Sequence, residues 1–354
     1  MPLKVSAAVD LGYGHVKYAC AQGGKVSLGA FPSYVSIGAG GTMRHSLAAL
    51  GQLDLVTVQV GGRAYAVGND SPLTGNAAAV RNRDPGFSTT NSYMALMLGA
   101  LWSLKAEVID LLVVGLPMNT LHLHDKELVR RLTGEHIVPD FRVDNRGDGA
   151  SNIVVKVREV ICIGQPVGAL LDVSTTYPDI KSERAIVLDL GFNTLDVLAI
   201  EGGRPRTDRI DAFPGGVAGF IDELKRCVEL SIRQQYPDIQ ENVDIPSHHY
   251  EQALRDNKPL LTGLGPIDLK PHAEVAAARL EQYLDKVANL IGEKGDITCA
   301  VLAGGGASLI EEPFRRRFRT IRNIVIPRDP EFSVVRGFLS LGRTMLLERE
   351  ATHE

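Results

Sequence analysis

The sequence predicts an α/β protein of two domains, built from two copies of one unit with a ligand cleft between them. Three observations carry that expectation. "VDLGYGHVK" (residues 9–17) is an apolar run that ends on Asp10, turns on Gly12 and Gly14 and places Lys17 beyond the turn. "LDLGFNTLD" (188–196) repeats the pattern with Asp189, Gly191, Asn193, Thr194 and a second acid, Asp196. The length, 354 residues, exceeds the usual size of a single domain. The interval between the two turns is far too long for a solenoid repeat, so it points to duplication of one α/β unit.

The elements follow in order. "KVSAAVDLG" and "VKYACAQGG" are β-rich runs joined by "GYGH", a hairpin signal, and "LVTVQVGGRAYAVG" (55–68) is a second hairpin turning on Gly61 and Gly62. "NSYMALMLGALWSLK" (91–105) has helical spacing with an Asn or Ser start. "VIDLLVVGLP" (108–117) reads as one strand buried on both faces, and "LHDKELVRRLTG" as a short helix ended by Gly134. Residues 151–164 hold two strand-like runs, and residues 184–205 repeat strand, acidic turn, strand and glycine turn. The stretch 217–236 is an amphipathic helix, 237–270 is polar with weak patterning, and 271–293 reads as one long helix with Pro271 near its start. "ITCAVLAGGGASLI" (297–310) is a strand running into a glycine turn. A last helix over 332–350 carries interior glycines, Gly337 and Gly342, that weaken it.

Composition narrows the function classes. A net charge of -4 gives no global attraction to nucleic acid or to an acidic membrane. The four cysteines, Cys20, Cys162, Cys227 and Cys299, are far apart with no CxxC pair, so neither a zinc site nor a disulfide framework is indicated. They read as core residues of a reducing cytosol. The N-terminus has no basic stretch followed by a long apolar one, and no apolar run reaches about 18 residues. A cytoplasmic protein with no membrane partner is therefore expected.

Strand-to-turn segments with successive glycines present backbone N–H groups to an anion. A carboxylate beside them repels phosphate unless a divalent cation lies between or the carboxylate orients a water. Two such turns facing each other would grip a nucleotide's phosphates from both sides, with Lys17 adding a point charge. Gly304, Gly305 and Gly306 would let a flat base approach the backbone closely. Any one of these turns alone is weak evidence. The chain has no G-x-x-x-x-G-K-[ST], and Lys17 followed by a strand replaces the third glycine of a dinucleotide fold.

The order of these three motifs resembles the actin-like ATPase superfamily of actins, heat-shock chaperone ATPases and sugar kinases. "VDLGYGHVK" looks like its first phosphate motif, "LDLGFNTLD" its second and "VLAGGGASLI" its adenosine motif. Within the superfamily the chain is most similar to the bacterial plasmid-segregation actins, the ParM/StbA group. "VVGLPMN" (113–119), residues 142–172, "AFPGGVAGFIDEL" and "FSVVRGFLSLG" carry that likeness, with a departure at Arg336, where others tend to have a small residue.

The resemblance implies a two-domain actin-like, duplicated ribonuclease H-like ATPase fold with nucleotide in the interdomain cleft. Residues 1–164 with 333–354 would form domain I, and 165–332 domain II. It implies ATP, with GTP open, and Mg²⁺. Asp10 would hold the metal through water beside the amides of Gly12, Tyr13 and Gly14. Asp189 would approach the same metal or orient the attacking water. Gly191, Asn193 and Thr194 would meet the γ-phosphate, and Gln165 would position water for in-line attack. Gly215 and Gly216 would approach the nucleotide at a helix start, and Gly304, Gly305 and Gly306 would line the adenine. Asp196 is either a support for the metal side or a turn-stabilising acid.

Other candidates have blander readings. Glu223 and Lys225 would reach a ribose or form a solvated helix face. His122 and His124 diverge at i, i+2 on a helix. "FRRRFRTIRN" (314–323) is a basic partner surface or a solvated face with Phe318 and Ile321 as core anchors. The implied function is an ATPase that polymerises on itself, hydrolyses ATP in the filament and partitions plasmid DNA through a DNA-binding adaptor. A small-molecule kinase, a non-polymerising chaperone-type ATPase and a pseudo-actin scaffold of the same fold are the rivals.

Overall fold

A computed structural model describes residues 4–37, 53–74, 82–142, 151–238, 244–292 and 295–352. Two five-stranded sheets organise it. The first contains β1 (Ser6–Leu11), β2 (His15–Gln22), β3 (Lys25–Pro32), β4 (Leu111–Leu116) and β5 (Val160–Gly164), in the order β5-β4-β1-β2-β3. The second contains β6 (Arg184–Leu190), β7 (Thr194–Glu201), β8 (Arg204–Pro214), β9 (Cys299–Ala303) and β10 (Asn323–Val325), in the order β8-β7-β6-β9-β10. In both, the first three strands are an antiparallel meander and the other two join in parallel. The duplication expected from the two acidic turns is therefore present in the strand order itself.

Seven longer helices accompany the sheets: α1 (Asn91–Leu104), α2 (Met118–Leu132), α3 (Gln165–Thr176), α4 (Gly216–Gln235), α5 (Ala278–Ile291), α6 (Ala307–Arg317) and α7 (Ser333–Ala351). The sheets alternate side chains between two faces, so each contributes to two cores. Val9, Leu11 and Val16 face an outer core with α1 residues such as Leu96 and Leu101. Leu188, Leu190 and Val197 face a second outer core with Phe220 and Leu224 of α4 and Leu284 of α5. The remaining faces meet in a shared core, where Ala8, Ala19 and Val113 of one sheet and Val187, Leu198 and Val301 of the other enclose Ala169, Val173, Val335 and Phe338 of α3 and α7. There α3 lies on the second sheet and α7 on the first, so the two helices are the joint between the halves.

That joint explains the two glycines that weaken the last helix. A Cβ on Gly337 would strike the carbonyl oxygen of Gly168, and one on Gly342 would press on Ser6 Oγ. Gly337 thus lets α7 approach α3 closely, and Gly342 lets it approach the first sheet. Arg336, beside Gly337, forks onto Asp172 of α3 (Nε–Oδ1 3.0 Å, Nη2–Oδ2 2.6 Å) and donates to the carbonyls of Arg328 and Asp329.

Several boundaries differ from the sequence reading. The apolar run 108–117 is two strands, Val108–Ile109 and β4. It breaks at Asp110, whose carboxylate accepts from the Val5 amide and from Arg158. Val108–Ile109 joins a separate sheet with Gly134–Pro139 and Asn152–Val157. Helix α2 begins earlier than expected, at Met118, and Gly134, at φ 119°, opens a strand. The long helix over 271–293 divides into Lys270–Ala276 and α5. The weakly patterned 237–270 region holds a helix, Ser247–Arg255, and a small hairpin, Leu260–Thr262 with Gly265–Ile267. Its residues 239–243, and residues 143–150 of the stretch resembling the segregation actins, lie outside the described residues. In the arginine-rich run the helix stops at Arg317, with Phe318 and Ile321 buried as anchors. Arg315, Arg316 and Arg317 pair with Glu311, Glu281 and Asp285.

Candidate functional site

The two acidic turns are the same object twice. Asp10 and Asp189 each lie two residues before a glycine, Gly12 or Gly191. Each glycine amide closes its hairpin onto a carbonyl three residues on, Gly12 to His15 (3.1 Å) and Gly191 to Thr194 (2.9 Å). Strand register then sets what stands opposite each acid. In the first unit Asp10 pairs across the strands with Lys17; in the second Asp189 pairs with Asp196. Alternation places all four side chains on the faces that carry Ala8 and Ala19, Val187 and Leu198. The shared apolar core therefore ends, at the mouth of the cleft, in three carboxylates and one ammonium.

Their burial is nearly complete, with relative exposures of 2% for Asp10, 6% for Asp189 and 1% for Asp196. Lys17 Nζ lies 3.0 Å from Asp10 Oδ2, and Gln165 Nε2 donates to Asp10 Oδ1 across 2.7 Å. Gln165 is the first residue of α3, so the helix that joins the halves also delivers this amide. Burial lowers the Lys17 pKa, but Asp10 and Asp189 more than offset this and hold it above its ordinary value. Asp189 is pushed up to about 7 by burial, then by Asp196 and Asp10, against the pull of Lys17. Asp196 is also raised to about 7 by burial, although the Met118 amide and the Thr194 hydroxyl favour its charged form. The first unit thus neutralises its acid internally, whereas the second crowds two acids together. Such a set favours a cation arriving from outside.

The turns touch across the cleft. A Cβ on Gly14 would meet the Phe192 side chain at 2.7 Å. Asn193 Nδ2 donates to the Arg83 carbonyl (3.1 Å), Arg83 pairs with Asp222 (2.8 Å), and its guanidinium lies over the Phe192 ring. Tyr13 stacks on Phe87, its hydroxyl donates to the Asp84 carbonyl (3.3 Å), and burial pushes its pKa up to about 12.

The helix starts fold onto the second turn. Gly216, at φ 43°, leaves space for the carbonyls of Gly191 and Phe192, which accept from Val217 and Ala218. The Gly215 amide donates to the Asn193 carbonyl (2.7 Å), and a Cβ there would strike the Tyr283 hydroxyl. Gly304, at φ 83°, sits against the Asp189 carboxylate. Its amide goes to the Pro330 carbonyl (3.1 Å) and that of Gly306 to Leu190 (3.0 Å). Gly305 has open space around its Cα.

The expected site residues lie on the two acidic turns and on the elements packed against them, with differences in detail. The amides of Gly12, Gly191, Gly215, Gly304 and Gly306 are committed to carbonyls of the protein, so these glycines shape the turns rather than offering free donors. Glu223 and Lys225 are occupied on the helix surface by Arg226 and Asp244. Arg83, Phe192 and Met118 belong to the site and were not expected. Only Phe192 carried a signal, as the large apolar residue inside an otherwise small and polar turn. Among the described residues no group of three His, Cys, Asp or Glu side chains could hold a metal by itself, and no helix is long and apolar enough to cross a membrane.

Residues 8–168 match the family described as actin-like proteins, N-terminal domain. No curated protein matches the sequence. Solved structures match over nearly the full length. An archaeal actin homolog in complex with ADP superposes with a TM-score of 0.69 at 20% identity, covering 96% of this chain and 99% of its own. A 15-stranded ParM filament from Clostridium botulinum gives 0.70 at 21% identity, covering 97% and 100%. A non-polymerisable quadruple mutant of pCBH ParM gives 0.74 at 19% identity, covering 97% and 100%.

Proposed function

We propose, from the match of residues 8–168 to an actin-like N-terminal domain and the two-domain actin-like fold of the whole chain, that this protein is an ATPase that binds magnesium–ATP in the cleft, polymerises on itself and hydrolyses the nucleotide in the filament. The segregation of plasmid DNA through a DNA-binding adaptor is the cellular role this reading implies. One observation carries it: the two acidic turns converge, burying Asp10, Gln165 and Asp189 together with the half-buried Lys17 paired to Asp10. The ADP complex and the ParM filament among the similar structures support nucleotide binding and self-assembly, respectively.

The residues divide the work by chemistry. Lys17 keeps its charge in the buried site because Asp10 and Asp189 hold it protonated, and it supplies a positive charge to phosphate oxygens. Gln165 has its amide nitrogen anchored on Asp10, which leaves its carbonyl oxygen to accept from the attacking water. Asp189, buried beside Lys17 and Asp10, is suited to orient that water or to approach the metal from the second unit. Gly191, Asn193 and Thr194 border the γ-phosphate, Gly215 and Gly216 let the helix start approach, and Gly304, Gly305 and Gly306 flank the base. Asp10 and Asp189 would hold Mg²⁺, which the crowded carboxylates of the second unit fit, and which supplies charge neutralisation on the phosphates. In this reading 1–164 with 333–354 moves as one body and 165–332 as the other.

Calorimetry with and without magnesium tests the assignment. Asp10→Ala should weaken magnesium–ATP binding more than metal-free ATP binding, and equal losses would remove Asp10 from the metal site. Pelleting of the wild-type chain with magnesium–ATP, and its absence without nucleotide, separates the filament reading from a kinase or chaperone-type ATPase.

A further inference from the structure

Helix α2 has no cap of its own. Its N-terminal neighbour is Pro117, which makes no side-chain cap bond, and its first turn holds no acid. The first N–H groups of a helix need an acceptor, and a carboxylate there also meets the positive end of the helix dipole. The acceptor comes from the other half of the molecule. Asp196 Oδ1 takes the Met118 amide across 2.7 Å, between residues 78 apart in sequence. One residue on, Asn119 Nδ2 donates to the Ala212 carbonyl of β8 at 3.3 Å. Two successive residues at the start of α2 are thus bonded to neighbouring strands of the second sheet.

Asp196 is in position for this because it occupies, in the second unit, the place of Lys17 in the first, seven residues past the turn acid in each case. Lys17 closes on the acid of its own hairpin. Asp196 faces another acid, Asp189, across the strands and turns instead to the amide of the opposite domain. We propose that Asp196 is a positioning residue, an N-cap supplied in trans, that fastens the second acidic turn to α2 and sets the separation of the two domains at the nucleotide site. This rests on reading the cleft as that site. The bond joins β7, the strand paired with the one bearing Asp189, directly to the element following β4, so a change in domain separation at this point must stretch or break it.

The helix geometry offers a test from both partners. Pro117 has φ -56° and ψ 147°, a conformation compatible with a following proline, and the first helical position tolerates proline. Met118→Pro therefore deletes the donor with little backbone strain, while Met118→Ala keeps it and sets the baseline for loss of the side chain. Asp196→Ala deletes the acceptor, and Asp196→Asn retains an acceptor oxygen.

In the nucleotide-free chain, hydrogen exchange at the Met118 amide should be about tenfold faster in Asp196→Ala than in wild type, with Asp196→Asn between them. With a non-hydrolysable ATP analogue, Met118→Pro should bind about tenfold more weakly than Met118→Ala and stay more expanded by small-angle scattering. Unchanged exchange in Asp196→Ala, or equal behaviour of the two Met118 variants, overturns the proposal. If the wild-type chain binds no nucleotide, the proposed function fails, and the exchange arm, which needs none, still decides whether Asp196 caps α2.

Discussion

Gln165 donates its side-chain amide to Oδ1 of Asp10 at 2.7 Å, while Lys17 holds the other oxygen of the same carboxylate at 3.0 Å. Asp10 is thus shared between the strand that carries it, the neighbouring strand and the helix that joins the halves. The contact fixes the orientation of a residue expected only to hold a water. With one N–H anchored on Asp10, the glutamine amide is oriented, and its carbonyl oxygen is the end that accepts a hydrogen bond from water.

Gln165→Ala should therefore leave ATP affinity close to wild type and lower turnover by about tenfold or more, equivalent to roughly 1.4 kcal/mol of barrier. Phosphate release at saturating ATP, beside calorimetric affinity, reads both. A matching loss of affinity and rate would mean that the amide supports ground-state binding by holding Asp10 in place.

The joint between α3 and α7 should be intolerant of added volume. Gly337→Ala forces a methyl group into the Gly168 carbonyl and should cost about 1–3 kcal/mol, since two helix backbones must separate to admit it. Urea denaturation measures this, and a loss within about 0.5 kcal/mol would place the helices farther apart than described.

Arg336 bonds Asp172 through two nitrogens in a setting only partly shielded from water. Arg336→Ala should cost about 1 kcal/mol, and Arg336→Lys, which cannot fork, should recover only part of it. A double-mutant cycle with Asp172→Ala gives the coupling; additive losses would make the contact incidental.

Asp189 and Asp196 both carry raised pKa values, caused first by burial. The folded chain therefore binds protons more tightly than the unfolded chain between the ordinary carboxylate value, 3.8, and about 7. Stability from these groups is greatest at the acidic side of that window and falls as pH rises through it. The nucleotide-free Tm should drop between about pH 5.5 and pH 8. Asp189→Asn, which imitates the protonated acid, should flatten the drop. An equal slope in the variant would assign the pH dependence to other groups.

Much of this architecture was legible locally. An apolar run, an acid and a glycine specify a strand end and a turn, and finding the same run twice specified the duplication. What escaped depended on contacts between distant residues. Asp110 looked like an interruption tolerated within one strand, yet it ends the strand because Val5 and Arg158 bind it. Gly337 read as a helix weakness until Gly168, on another helix, was seen to need the space. The role of Asp196 was undecidable from its own hairpin, because its partner is an amide, a group every residue but proline carries and no sequence pattern marks. The glycine turns are legible as turns, but several of their amides serve the fold itself.

The proposal that the chain assembles with ATP and hydrolyses it in the filament is tested most directly by light scattering after a limited pulse of magnesium–ATP, with phosphate release recorded on the same sample. Wild type should scatter promptly, hold while ATP lasts and decay as phosphate release reaches completion. A chain that binds and turns over ATP yet never scatters would contradict the account.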